Sequence, residues 1–134
     1  MNQAGISLDT SVLLRIFAKE PIEQFQSAAQ FLEDRLEAGV SVHVSDLAFS
    51  EAYFALQWHY GISKTNALSA FAAFIKQDQV VVSATARAVL ALPNLATANP
   101  GFVDRLIHGA SQAAGHTLVT FEKAAKKLPG TVVI

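Results

Sequence analysis

The chain has 134 residues, of which 51% are apolar and 16% charged, enough for one well-buried core and far from the composition of a disordered segment. Its 10 Lys and Arg nearly cancel 11 Asp and Glu, so no global field draws in a polyanion, and a nucleic acid would have to be held by a local patch. There is no cysteine, which excludes a disulfide framework, a zinc ribbon and thiol catalysis together.

Met1 to Gly5 is short and polar and lacks the basic-then-apolar layout of a signal peptide. Ile6-Ser7-Leu8 reads as a buried strand that ends at Asp9-Thr10-Ser11, a helix start. Val12, Leu13, Ile16 and Phe17 recur at helical spacing, and Glu20-Pro21 closes that helix. A second helix is predicted from Ile22 to Ala38, stopped by Gly39. Val40 to Val44 alternates with Ser41 and His43 as a strand does, and Ser45-Asp46 then caps a long helix ending near Tyr60-Gly61. Another helix begins at Ser63, with Ala67, Leu68, Phe71, Phe74 and Ile75 on one face.

Val80 to Val82 is a brief β-branched strand, and Thr85 to Leu92 a helix. Asn99-Pro100 marks a further helix start, with Asn as cap and Pro in the first turn, running to Ala114 and stopping at Gly115. Thr117 to Thr120 is a strand, Phe121 to Leu128 a short helix, and Thr131 to Ile134 a closing strand. Strands alternating with helices imply right-handed crossovers and an α/β class: a three-layer α/β/α sandwich with a mostly parallel central sheet, in a single domain over 1–134. No apolar stretch reaches the roughly 18 residues needed to span a bilayer, so a cytoplasmic protein is expected.

In such a sheet, ligands bind beyond the carboxyl ends of the strands, and Asp9, Thr120 and Glu122 fall there. Each acid also has an ordinary structural explanation. Asp9 is placed to cap a helix, although Thr10 or Ser11 would cap equally well. Glu51 has Leu47, Ala48, Phe54 and Ala55 as its neighbours three and four residues away, a face on which a carboxylate is costly unless paired or metal-bound. Asp104 lies about one turn into its helix, where a negative charge complements the dipole, and it makes an (i, i+4) pair with His108. Glu122 suits the first turn of the last helix. Carboxylates sharing a site repel one another unless a hard divalent cation compensates them, and Mg²⁺ or Mn²⁺ is the natural occupant.

The stretches Leu8 to Arg15, Ser45 to Leu56, Phe102 to Ile107 and Gly115 to Gly130, taken in this order and spacing, resemble the PIN-domain ribonucleases, and within them the VapC-like toxins of bacterial toxin–antitoxin pairs. The resemblance covers essentially the whole chain and implies that Asp9, Glu51 and Asp104 form the metal site. A Thr-Phe-Asp segment normally supplies a fourth acid. Here the segment is Thr120-Phe121-Glu122, a departure whose extra methylene adds a rotor and moves the carboxylate by roughly an ångström.

The implied chemistry is metal-dependent hydrolysis of RNA phosphodiesters, with Asp9 and Asp104 as principal ligands. Glu51 would complete the cage or act as a general base, and Thr10 or Thr120 would contribute a hydroxyl behind the ligands. An antitoxin partner and a homodimer are implied in the same way.

Phosphate positioning points to Arg15 and Lys19 on the first helix, Arg105 beside Asp104, and Lys123, Lys126 and Lys127 on the last helix, each of which also suits an ordinary solvated face. His43, His59, His108 and His116 have no zinc-type spacing. Ser11, Ser45, Ser50 and Ser111 lack the G-x-S-x-G context of a serine hydrolase, and the glycines form no phosphate-binding loop. Trp58, Tyr60, Phe71 and Phe74 suit a core, or a dimer face or a groove for an antitoxin helix. Two other classes remain. A non-catalytic PIN-like binding module is suggested by Glu122. A phosphoacceptor receiver would need an acidic pair after the first strand, where Asp9 is followed by Thr-Ser.

Overall fold

The computed structural model describes residues 4–134; the reading of Met1 to Gly5 as a polar lead falls partly outside them. The chain forms two compact units, Met1–Ser83 and Ala84–Ile134. The α/β class and the parallel pairing expected of the strands are both present.

In the first unit, strands β1 (Ile6–Ser7), β2 (Val42–His43) and β3 (Val80–Val81) form a parallel sheet with β2 in the centre. The register aligns Ile6 with Val42 and Val80, and Ser7 with His43 and Val81. Backbone bonds from Leu8 N to His43 O and from Val44 N to Val81 O carry the ladder past the strand ends. The strands are shorter than the apolar runs that announced them, since only two residues of each pair in strand geometry.

Helices α1 (Thr10–Ala18) and α2 (Ile22–Glu37) connect β1 to β2, and α3 (Asp46–Trp58) and α4 (Lys64–Phe74) connect β2 to β3. Side chains cap three of the four, as the sequence suggested for α1 and α3: Asp9 caps α1 and Ser45 Oγ accepts from Ala48 N at 3.1 Å, while at α4 Ser63 Oγ accepts from Asn66 N at 3.0 Å. Each satisfies amide groups that the first turn leaves without an intrahelical partner. The stop at Gly39 has its expected cause, a backbone at φ +76° that a side chain would strain.

The core of this unit is built on Leu13, Val42, Phe49, Leu56 and Phe71, all fully buried. Phe71 packs its ring at 5.1 Å from both Phe17 and Phe49, tying α4 to α1 and α3. Small Ala48 and Ala52, also buried, line the inner face of α3, which packs along α1. This contact sets the distance between the end of β1 and the middle of α3.

The second unit holds α5 (Ala84–Leu90), a 3-10 turn at Leu95–Thr97, α6 (Phe102–Ala113), β4 (Leu118–Thr120), a 3-10 turn at Lys123–Lys127 and β5 (Thr131–Val133). Strands β4 and β5 pair in parallel with Val119 opposite Val132. The predicted cap at Asn99 is not what starts α6: Gly101 is the N-cap, with extended backbone and no side-chain bond. Pro100 is fully buried and its carbonyl accepts from Arg105 Nε at 2.7 Å, so it serves as a core plug ahead of the helix instead of its first turn. The predicted last helix is a single 3-10 turn.

Candidate active site

Asp9 follows β1 and begins α1. Its Oδ1 accepts from the Ser11 hydroxyl at 2.6 Å and from Val12 N at 3.2 Å. These bonds, the Ser11 hydroxyl foremost and the Val12 amide next, hold the Asp9 carboxyl below its ordinary value against a small desolvation effect. The ordinary explanation of this acid is thus realised: Asp9 is the cap, and Ser11 serves it. Both of these bonds fall on Oδ1, and the Ser11 backbone amide lowers the carboxyl pKa further.

Glu51 lies one and a half turns into α3. The packing of α1 along α3 brings it to the same cleft as Asp9, a space of about 280 Å³ lined also by Thr10, Ser45, Leu47 and Ala48. The burial cost expected for Glu51 does not arise. The carboxylate is exposed, and its apolar neighbours Leu47 and Phe54 are exposed with it. Among the described residues, the Glu51 carboxylate makes no hydrogen bond or ion pair.

The other two acids share a cleft of the second unit, about 240 Å³, with Thr120, Ile107 and Leu118. Asp104 is an exposed first-turn residue of α6. Glu122 caps the 3-10 turn: Oε1 accepts from Ala124 N at 3.2 Å, and its own amide donates to Thr120 Oγ1 at 2.9 Å. The longer arm of Glu at this position reaches a backbone amide while one carboxylate oxygen remains uncommitted.

Of the cations, Arg15 is half-buried and committed, its Nη1 donating to Tyr60 Oη at 3.0 Å and its Nε to Gln24. Arg105 and His108 line a different cavity from Asp104, with Thr85, Val89 and Leu128. His108 Nε2 faces the Pro129 carbonyl at 2.6 Å and so carries the proton there. Lys19 ends α1 in a left-handed conformation, and Lys123 is exposed. Phe71 and Phe74 are core, whereas Trp58 is 81% exposed.

Two partnerships went unread in the sequence. Ser83 Oγ donates to Asp46 Oδ1 at 2.7 Å, and Tyr60 receives Arg15. The first joins residues far apart in sequence that the parallel register brings to neighbouring strand ends, a relation no local pattern carries.

Among the described residues, neither unit gathers three Asp, Glu or His side chains closely enough to hold a metal ion. The first unit offers Asp9 and Glu51 with the hydroxyls of Thr10 and Ser45, an all-oxygen set. That set fits a hard divalent cation such as Mg²⁺, which keeps several waters and is commonly held by one or two carboxylates together with substrate phosphate.

Parallel strands joined by helical crossovers, with carboxylates where strands give way to helices, define an α/β protein whose candidate site lies at the strand ends. The chain belongs to the PIN domain family, whose model matches residues 6–130. PIN domains have a fold generally found in nucleases and typically act as metal-dependent hydrolases. No curated protein and no solved structure shows a match to the chain. Among the described residues, no helix is long and apolar enough to cross a membrane.

Proposed function

We propose that the chain is a metal-dependent endoribonuclease, acting as one functional domain over residues 1–134, with Asp9, Glu51, Asp104 and Glu122 as the acids on which its reaction depends. The observation that carries this reading is the cleft at the end of β1, where Asp9, kept ionised by Ser11 and Val12, is joined by an uncommitted Glu51 within a PIN domain.

Asp9 and Glu51 would hold the cation, Mg²⁺ or Mn²⁺, in the first unit. When bound, such an ion supplies the Lewis acidity that polarises a phosphoryl oxygen and lowers the pKa of a water. Asp9 offers a carboxylate whose negative charge is already secured by Ser11 and Val12. The Glu51 carboxylate, exposed and without a hydrogen bond among the described residues, would orient the attacking water and accept its proton. Thr10, which lines the same cleft, would hydrogen-bond a ligand oxygen or the phosphate. Asp104 and Glu122 enter on the strength of the family resemblance, with Thr120 beside them. Lys123, Arg15 and Arg105 are the proposed phosphate contacts, and of these exposed Lys123 is the one without an internal partner among the described residues. The same resemblance supports a VapC-like toxin held by an antitoxin, a homodimer, and action in the cytoplasm.

A second reading, a PIN-like module that binds without cutting, is favoured by one observation: Glu122 already serves as a helix cap. An RNA cleavage assay in Mg²⁺ or Mn²⁺ decides between them, run with and without EDTA on the wild type and on Asp9→Asn, Glu51→Gln, Asp104→Asn and Glu122→Gln. The nuclease reading expects EDTA to abolish cleavage and Asp9→Asn to reduce it by on the order of 100-fold or more. Cleavage that survives both would sink it, and no cleavage by the wild type would favour the binding module. Toxicity on expression that a neighbouring gene relieves would support the toxin assignment.

A further inference from the structure

The outer face of α3 carries an apolar stripe that the fold does not use. Leu47, Phe54 and Trp58 are 68%, 46% and 81% exposed, and with Glu51 they follow one another at helical spacings of three and four residues. The stripe begins in the acid cleft, because Leu47 and Glu51 both line it, and it leads away from there along the helix. Its two outer members are aromatic, with ring centroids 6.4 Å apart and planes inclined at 63°.

We propose that Phe54 and Trp58 form a base-stacking track for single-stranded RNA, holding the nucleotides that flank the phosphate placed at the Asp9–Glu51 cleft. The proposal rests on the nuclease reading for the direction of the strand, and its stacking step stands without it. Three observations favour RNA as the occupant.

The first is continuity, since a strand with a phosphate at Asp9 and Glu51 meets Phe54 one turn further along the same helix face. The second is ring exposure. Phe54 and Trp58 meet edge to face, inclined at 63°, so neither ring is stacked on the other's face and the exposed surface of each is open to a single base.

The third is charge. No carboxylate occurs between Glu51 and Asp78, while Lys64 and Lys76 both do, so the α3–α4 hairpin beyond the cleft tolerates a polyanion. A second copy of the chain is the competing occupant of this stripe, whose flanks carry polar Ser50 and Gln57.

Trp58 is the only tryptophan, so its fluorescence reports on the track directly. The full chain, in EDTA to prevent cleavage, is titrated with an oligouridylate and separately with an RNA duplex of equal length. The expected result is saturable quenching of Trp58 by the single strand and markedly less by the duplex, whose bases stack on one another. Phe54→Ala should weaken the single-strand affinity by roughly 5- to 100-fold.

Trp58→Ala, at an exposed position, should weaken binding similarly when binding is read by anisotropy of labelled RNA. Unchanged affinity in both variants would overturn the proposal. So would a fluorescence change that follows protein concentration without RNA and accompanies a larger species, which would assign the stripe to a second copy. Quenching without metal-dependent cleavage would keep the track and overturn the nuclease reading; cleavage without quenching would do the reverse.

Discussion

At Asp9 the cap and the candidate ligand are one group, and Ser11 is the residue that makes this workable. Because its bonds lower the carboxyl pKa in the folded chain, they contribute stability above the unfolded-state pKa that is lost as pH falls through the folded-state value. Ser11→Ala should therefore destabilise the protein near neutral pH, and the difference from wild type should vanish in acid. Urea unfolding across pH 2 to 7, about the range in which carboxyls titrate, reads this directly. A difference that persists below the carboxyl range would contradict the assignment. At Glu122, replacement by Ala should cost up to about 1 kcal/mol through loss of the cap to Ala124, while Glu122→Asp should retain most of it; denaturation midpoints of the two variants test this. The placements of Asp9, Asp104 and Glu122 were legible in the sequence, because an acid after a strand or in a first helical turn leaves a local signature. Their partners were less so. Arg105 neighbours Asp104 in sequence and lines another cavity, since adjacent residues on a helix point about 100° apart.

At the scale of elements, α5 and α6 meet where Gly109 lies against Thr85. A Cβ on Gly109 would collide with the Thr85 methyl, so Gly109→Ala should cost about 1–3 kcal/mol by overpacking. Thr85→Ala in the same chain should recover much of that loss, and thermal melts of the single and double variants would show whether it does. Every helix and strand of the fold was announced by periodicity or turn chemistry, as Ser45, Ser63, Gly39 and Gly115 illustrate. Misreadings occurred where tertiary packing decides. Pro100 looks like a helix start and is used as a buried plug, and the run after Glu122 is helical in pattern yet closes as one 3-10 turn between β4 and β5. The amphipathic logic also failed at α3. Its apolar residues occupy the inner face and continue around to Leu47, Phe54 and Trp58, so apolar neighbours did not mean a buried Glu51.

For the molecule as a whole, the first unit depends on the ring cluster of Phe17, Phe49, Phe71 and Phe74, through which α1, α3 and α4 hold one another. Phe49→Ala, at a fully buried position, should cost about 3–5 kcal/mol and loosen the spacing between Asp9 and Glu51. Activity should then fall more steeply with temperature than in the wild type, and parallel melting and cleavage curves would check the coupling. The parallel pairing and helical crossovers could be read from alternation alone, whereas the division into two compact units could not, because long-range contacts leave no periodic trace in a chain without linkers. One backbone group gains an unexpected use from the way α1 begins. The Val12 amide proton rests on the carboxylate that faces the cleft, so its exchange with solvent deuterium records how firmly that carboxylate is held. A cation settling on Asp9 would slow this single amide before any change reached the core, making the first turn of α1 a built-in gauge of occupancy.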